Sequence, residues 1–557
     1  MGNVERETVS RSDGSTARYV RRQFDELGRL IRETLGTRSP MQLGYDKVSN
    51  IVSATDPNGF ATAASFDALD RVVATVAPDG GILASSYDAQ DNTTSFTDPV
   101  SVTTQFVYNG FGEVIEETSP DRGTNTYVYD AAGRMIQSSD GRGQVVAYAR
   151  DYLGRVTRME PIGRPASEAI DYQWDSGGMG GSYGIGRLGR VTDNSGRTRF
   201  QYDHRGNVTI KEQEIGTSGY TRLSYSYDAA DRITRIIYPS GRWVLYDYDA
   251  YGRVDQVRTR ENSSSPYLTV ASGHQYEAFG PLKSMTLASG LEVANEWGDD
   301  GRLAVRKLSP TGGGADLSHL AYRRDPVGRI GAIADYVTPA NSVIYGYDAM
   351  GRLTMAVSDN SALSSETYSY TPGTNQLASF TDDSGTRTIA YDGRGNTVSE
   401  TRPGGETIAA TYDGHGRLES YDRTSIGAQT YTYNGLGDRV RVDKPTGTRR
   451  FVYDAWGRVV AEYGASASDV RAEFIWAVPP AANDNSPFGG GDHIVGYAPL
   501  ALVAPNAQAQ LQLYWVHGNH LGVPIVTTDA QGSVVDPGND FLRPGFPGQS
   551  QVLSDLY

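Results

Sequence analysis

The chain has 557 residues, a formal charge of −15 and an isoelectric point of about 5.0. That acidity repels nucleic-acid phosphates and anionic membranes, and the absence of cysteine removes disulfides and thiolate metal sites. Gly at 65 and Tyr at 36 instead indicate many turns and half-buried strand positions, the composition of an all-β protein.

The N-terminus, Met1-Gly2-Asn3-Val4-Glu5-Arg6, has no basic segment followed by an apolar run, so no signal peptide is read there. No stretch reaches the ~20 apolar residues of a membrane-spanning helix. A repeat begins almost at once. Its aromatic position falls at Phe24, Tyr45, Phe66, Tyr87, Tyr108 and Tyr129, and the register reaches Arg150, six steps of 21 residues. Such a period identifies a repeat architecture and outranks local propensity. A representative copy is Thr126-Tyr127-Val128-Tyr129-Asp130-Ala131-Ala132-Gly133-Arg134-Met135-Ile136.

The residue types explain the unit. Tyr127 and Tyr129 share one strand face, with Val128 on the other. Asp130 opens a turn, because its carboxylate can accept from the backbone two residues on. Gly133 supplies positive φ, and a new strand starts after Arg134. A second turn follows about half a period later, as in Thr55-Asp56-Pro57-Asn58-Gly59 and Ala77-Pro78-Asp79-Gly80-Gly81. Each period is therefore expected to hold two strands of about 7–9 residues and two turns.

The expected organisation is repeats over 1–161, a Gly-rich insertion over 162–199 containing Gly177-Gly178-Met179-Gly180-Gly181, and repeats again over 200–463. A different segment occupies 464–557. It includes Leu513-Tyr514-Trp515-Val516-His517-Gly518-Asn519-His520-Leu521-Gly522-Val523-Pro524, then Thr528-Asp529-Ala530-Gln531-Gly532 and Phe546-Pro547-Gly548-Gln549.

On these residues the chain resembles the Rhs, or YD-repeat, family. The Tyr-Asp-x-x-Gly-Arg units match its repeat. His517 to Pro524 and Thr528 to Gly532 match the start of its associated core, with Asn519 where the family pattern has Asp, and Phe546 to Gln549 match the next core landmark. The resemblance implies one continuous spiralling sheet wound into a hollow β-shell. Stacked Tyr ladders and Asp–Arg pairs along the sheet are expected. It also implies a toxin or effector cargo that is not part of this sequence, with secretion machinery or an immunity-linked partner, and a site of action outside the producing cell after a cytoplasmic stage. The family core normally continues beyond the Phe546 to Gln549 landmark, so the expected reading is a shell segment from a larger system, truncated within the core.

Candidate chemistry is thin. Nearly every repeat Asp is explained by a turn, so paired carboxylates for glycoside hydrolysis are not expected. His493, His517 and His520 are the residues to weigh as zinc ligands. His517 and His520 lie three apart in strand-forming sequence, which sends their side chains to opposite faces. No phosphate-binding glycine loop is present. The sequence reading is a non-enzymatic shell with no catalytic, cofactor or metal residues and no nucleic-acid partner. A surface adhesion or carbohydrate-binding module and a truncated remnant without its own activity are the alternatives.

Overall fold

The computed structural model describes residues 3–10, 16–35, 39–176, 183–214, 219–277, 281–298, 302–358, 365–464, 466, 469–477, 499–506, 508, 510–518 and 524–535. Those residues form one sheet of 45 strands, from β1 (Arg6–Ser10) to β45 (Pro524–Thr528), each antiparallel to its neighbours in sequence. Three short 3₁₀ turns, Ala166–Glu168, Pro339–Asn341 and Pro403–Gly405, are the helical elements among them. The all-β, repeat-wound architecture expected from the sequence is the one observed.

The hairpin of β12 (Gly123–Tyr129) and β13 (Met135–Ser139) shows the rule. The Asp130 N–H donates to the Arg134 carbonyl at 2.9 Å and the Gly133 N–H to the Asp130 carbonyl at 3.0 Å. Asp130 Oδ1 accepts the N–H groups of Ala132 and Arg134 at 2.9 and 3.0 Å, and Gly133 has φ +74°. One carboxylate thus satisfies two backbone donors that a five-residue turn would leave open. These turns use more of the period than expected. The strands from β3 (Leu30–Leu35) to β19 (Val208–Glu214) have 5 to 7 residues rather than 7 to 9.

The two turns of a period differ in one respect. Tyr129 pairs with Met135 while Val128 pairs with Gln137, so Ile136 is an extra residue, a β-bulge. The same shift occurs at Phe24, Tyr45, Phe66, Tyr87, Tyr108 and Arg150. The intervening hairpins over this stretch close without one. A bulge bends its strand and raises local twist. Repeated along one edge only, it makes a long sheet curl.

The curl brings the sheet back onto itself. Hydrogen bonds recur between residues 250, 254, 246, 242 and 236 positions apart, from Asp79–Arg329 to Tyr238–Phe474. A sheet that pairs only with its sequence neighbours and meets itself about every 250 residues is a spiral. The stretch 162–199 does not interrupt it. It supplies β16 (Ile170–Trp174), β17 (Leu188–Asp193) and the start of β18 (Gly196–Tyr202) in continuous pairing.

Burial divides the wall. β6 (Ala61–Phe66) and β12 alternate exposed and half-buried residues and bury none. From β20 (Tyr220–Tyr227) to β27 (Leu303–Pro310) each strand contributes buried residues to a core that also contains residues of β42 (Val470–Trp476), β43 (Pro499–Pro505) and β44 (Leu511–Gly518). The other face of β42–β44 is buried too, by Ala472, Phe474, Leu502, Ala504, Tyr514 and Val516.

Candidate functional site: the wiring of the wall and the seam between its circuits

Among the described residues the polar groups of the repeat motif are largely taken up by bonds that hold the hairpins. The Tyr129 hydroxyl donates at 2.8 Å to the carbonyl of Val114, the residue paired with the preceding unit's Tyr108. Tyr45, Tyr87, Tyr108, Tyr248 and Tyr412 do the same to the carbonyl 15 residues before them, at 2.7 to 2.8 Å. Where the motif departs from Tyr the bond survives by another donor: Trp174 Nε1 to Val156, Trp476 Nε1 to Val459, Arg150 Nε to Met135. The aromatic position therefore serves a carbonyl beside the bulge, which explains why a donor stands there and not Phe at most copies.

Where a unit carries arginine, that side chain binds its own turn carboxylate, and at several units it also covers a ring. Arg134 Nε donates to Asp130 Oδ2 at 2.8 Å, and this guanidinium holds the Asp130 carboxyl down to about 2. Arg29, Arg71, Arg232 and Arg352 also lie over the ring of the next unit's aromatic, 4.6, 4.7, 4.4 and 4.1 Å from its centroid. At these units a guanidinium, and not a second Tyr ring, lies over the motif ring, in place of the expected ladder of Tyr on Tyr. The expected Asp–Arg pairing is largely within a unit, at i,i+4.

The seam is where one circuit meets the next. The non-bulged turns of the first circuit present carboxylates to the Asp-type turns of the second. Arg329 Nη2 donates to Asp79 at 3.1 Å, Asn375 Nδ2 to Asp98 and Asp121 at 2.8 and 3.0 Å, and Arg394 Nη1 to Asp140 at 3.3 Å. The backbone N–H of Gly414 donates to Glu168 at 2.7 Å and that of Gly435 to Asp193 at 2.6 Å. Burial pushes the Asp193 carboxyl up. Further along, Lys211 Nζ donates to the Asp454 carbonyl at 2.9 Å, and burial pushes this ammonium down. Arg242 Nε pairs with the fully buried Glu473 at 2.8 Å. Trp515 Nε1 closes the thick region onto the Val270 carbonyl at 2.8 Å.

Glycine permits this approach. A Cβ on Gly393 would lie 2.3 Å from the Gly141 carbonyl oxygen, and one on Gly435 would lie 2.5 Å from Ile170 and Val191. These seam residues escaped the sequence reading. The signal available was glycine directly after the turn Asp or Asn in three successive units, at Gly393, Gly414 and Gly435. It is not specific, since Gly110 follows Asn109 and has nothing within 4 Å. The residue before the turn glycine tells the same story. It is exposed at Leu27 (72%) and Phe111 (92%) in the first circuit, whereas Trp456 in the second packs against the core, edge-on to Tyr225 at 5.4 Å.

Of the histidines weighed as metal ligands, His517 is buried and shares a 2.9 Å hydrogen bond with Thr528, and burial pushes its imidazole down to about 3. His493, His520, Asn519 and the Phe546 to Gln549 landmark lie outside the described residues. Among the described residues no group of three or more His, Asp or Glu is arranged to hold a metal, and no helix is long and apolar enough to cross a membrane.

Comparisons with known proteins agree with the geometry. The Photorhabdus luminescens Tc holotoxin pore (mutation TccC3-D651A) superposes with TM-score 0.68 at 14% identity, covering 93% of this chain and 30% of that one. The TcdB2-TccC3 complex gives TM-score 0.70 at 14% identity, covering 95% and 34%, and its form without the hypervariable C-terminal region gives 0.69 over 95% and 33%. The chain therefore spans about a third of the length of the solved chains it matches. No curated protein matches it. The family described as Teneurin YD-shell matches residues 2–180 and 311–480, more than half the chain, and the chain belongs to that family.

Proposed function

We propose that the chain is a section of shell wall that encloses a toxin or effector and keeps it from the cell that makes it. One observation carries the reading. A single sheet meets itself about every 250 residues through bonded side chains, so its wall closes without a second sheet or a helical layer. Consecutive pairing leaves β1 and β45 as the edge strands among the described residues, and few edges are then open to pair with other chains. Membership of the YD-shell family and the shared fold with Tc toxin chains support enclosure of a toxic cargo. Use in competition between bacteria, through export, is the setting we assign to it.

The test is protection. A protease-sensitive reporter domain joined after Tyr557 is expected to resist a protease that digests the same domain fused to an unrelated β-protein. Equal digestion of both fusions would overturn enclosure by this wall.

A further inference from the structure

The sheet face opposite the core carries a strip unlike the rest of this acidic chain. It lies on β21 (Ile233–Ile237), β22 (Trp243–Tyr248) and β23 (Val254–Arg260). Ile236, Val244, Tyr246 and Val257 face the core, and Arg235, Trp243, Leu245, Arg258 and Arg260 face away from it. Arginines from both flanking strands lie over the Trp243 ring, Arg235 with Cζ 4.2 Å and Arg260 with Cζ 3.6 Å from its centroid. Arg260 and Arg258 also lie 4.6 and 5.2 Å from the ring of Tyr267, which is 46% exposed.

The charges do not balance as they do in the repeat units. Arg258 grips Asp247 through two bonds of 2.8 Å. Arg235 donates from Nη2 to the neutral Ser226 hydroxyl at 2.8 Å, and its Nε is buried without a partner. Arg260 Nε is likewise buried without a partner. Among the described residues neither guanidinium has a carboxylate. Two cations drawn to one indole by cation–π attraction repel each other until an anion lies between them.

We propose that this strip is a docking site for an acidic peptide segment of a partner protein, its carboxylates received by Arg235 and Arg260. Arg258 and Asp247 already display the fork-to-carboxylate mode on the same strip. Arg258 is already held by Asp247, so Arg235 and Arg260, on either flank of Trp243, are the guanidiniums left for an incoming carboxylate. With arginines from both sides over the indole, the guanidinium edges and not the ring face do the recognising, which disfavours sugar stacking. Two arginines without carboxylates suit one or two carboxylates, whereas a nucleic acid needs a longer basic track. The inference does not depend on what the shell encloses.

The probe is a fluorescent peptide with glutamates alternating with serines, titrated against the full chain at low and physiological salt. Binding is expected, weakening as salt rises, and absent for the glutamine version of the peptide. The double variant Arg235→Gln/Arg260→Gln is expected to lose at least tenfold in affinity, while Arg197→Gln, an exposed arginine paired with Glu214, leaves it unchanged. Arg260→Lys, which keeps the charge and loses the fork, falls between. Thermal unfolding of each variant checks that the sheet is intact. No peptide binding, or binding indifferent to the double variant, overturns the proposal. Binding of heparin in place of the peptide, lost in the double variant, also overturns it and reassigns the strip to an anionic glycan.

Discussion

The wall over residues 41–161 and the wall from β20 to β27 obey the same repeat and are held in different ways. In the first, one sheet stands with both faces partly open, and its order comes from local wiring: an Asp or Asn side chain in the bulged turns, a hydroxyl or N–H donor on most bulge carbonyls and, at Arg71, a guanidinium over the next ring. In the second, β42–β44 cover one face and a single core of buried Leu, Ile, Val, Tyr and Trp forms across two circuits. The contrast teaches that a repeat can specify geometry without specifying stability. The motif bends the sheet everywhere, and the apolar residues that hold the spiral shut are concentrated where the C-terminal strands return to it.

The largest effect of a single change is therefore expected in the thick region. Glu473→Ala leaves Arg242 buried and uncompensated and should cost about 3–5 kcal/mol by denaturant unfolding. Trp515→Ala removes a buried ring and its bond to Val270, and a loss of about 3–5 kcal/mol is expected. A smaller effect is expected at the seam. Gly435→Val drives a side chain into Ile170 and Val191 and should cost about 1–3 kcal/mol, while Gly110→Ala, at the same place in a unit of the open rim, should stay within about 0.5 kcal/mol. Equal costs for the two glycines would erase the distinction between docked and open turns.

In the thin wall the changes are smaller still. Tyr129→Phe removes one hydroxyl bond to the Val114 carbonyl, for about 0.5–1.5 kcal/mol. Acid should act there first. The turn carboxylates of this wall, Asp46, Asp67, Asp88, Asp130 and Asp151, are held below their ordinary value of 3.8 by the donors around each turn, Asp130 at about 2. Groups lowered in the fold stabilise it above the ordinary value and lose that contribution as pH falls through the lowered one. Amide exchange in residues 41–161 should therefore rise between about pH 4 and pH 2, ahead of the core strands. Asp193, raised by burial, runs the opposite way and gives no protection in that window.

Much of this was legible in the sequence. The 21-residue step, the Asp and Gly of the turn and the all-β class follow from residue types that have one plausible role each. The aromatic position was legible as a strand face but not as a donor. The exceptions Trp174, Trp476 and Arg150, all N–H donors, hint that the donor matters more than the ring. The seam was not legible, because it joins residues about 250 apart that share no pattern. Gly141 and Gly393 are legible as turn glycines, and only their contact shows why a side chain is excluded. The Arg–Trp–Arg strip was also hidden, since alternation along one strand does not reveal which neighbours flank it.

The account stands on the sheet meeting itself one circuit on, and the absence of cysteine allows a clean test. Asp121 and Asn375 touch through short side chains across the seam, 254 residues apart. The variant Asp121→Cys/Asn375→Cys is expected to form one intramolecular disulfide on mild oxidation, seen by peptide mapping and as faster non-reducing migration of the monomer. Free thiols after oxidation, or a disulfide that joins separate chains, would contradict the spiral.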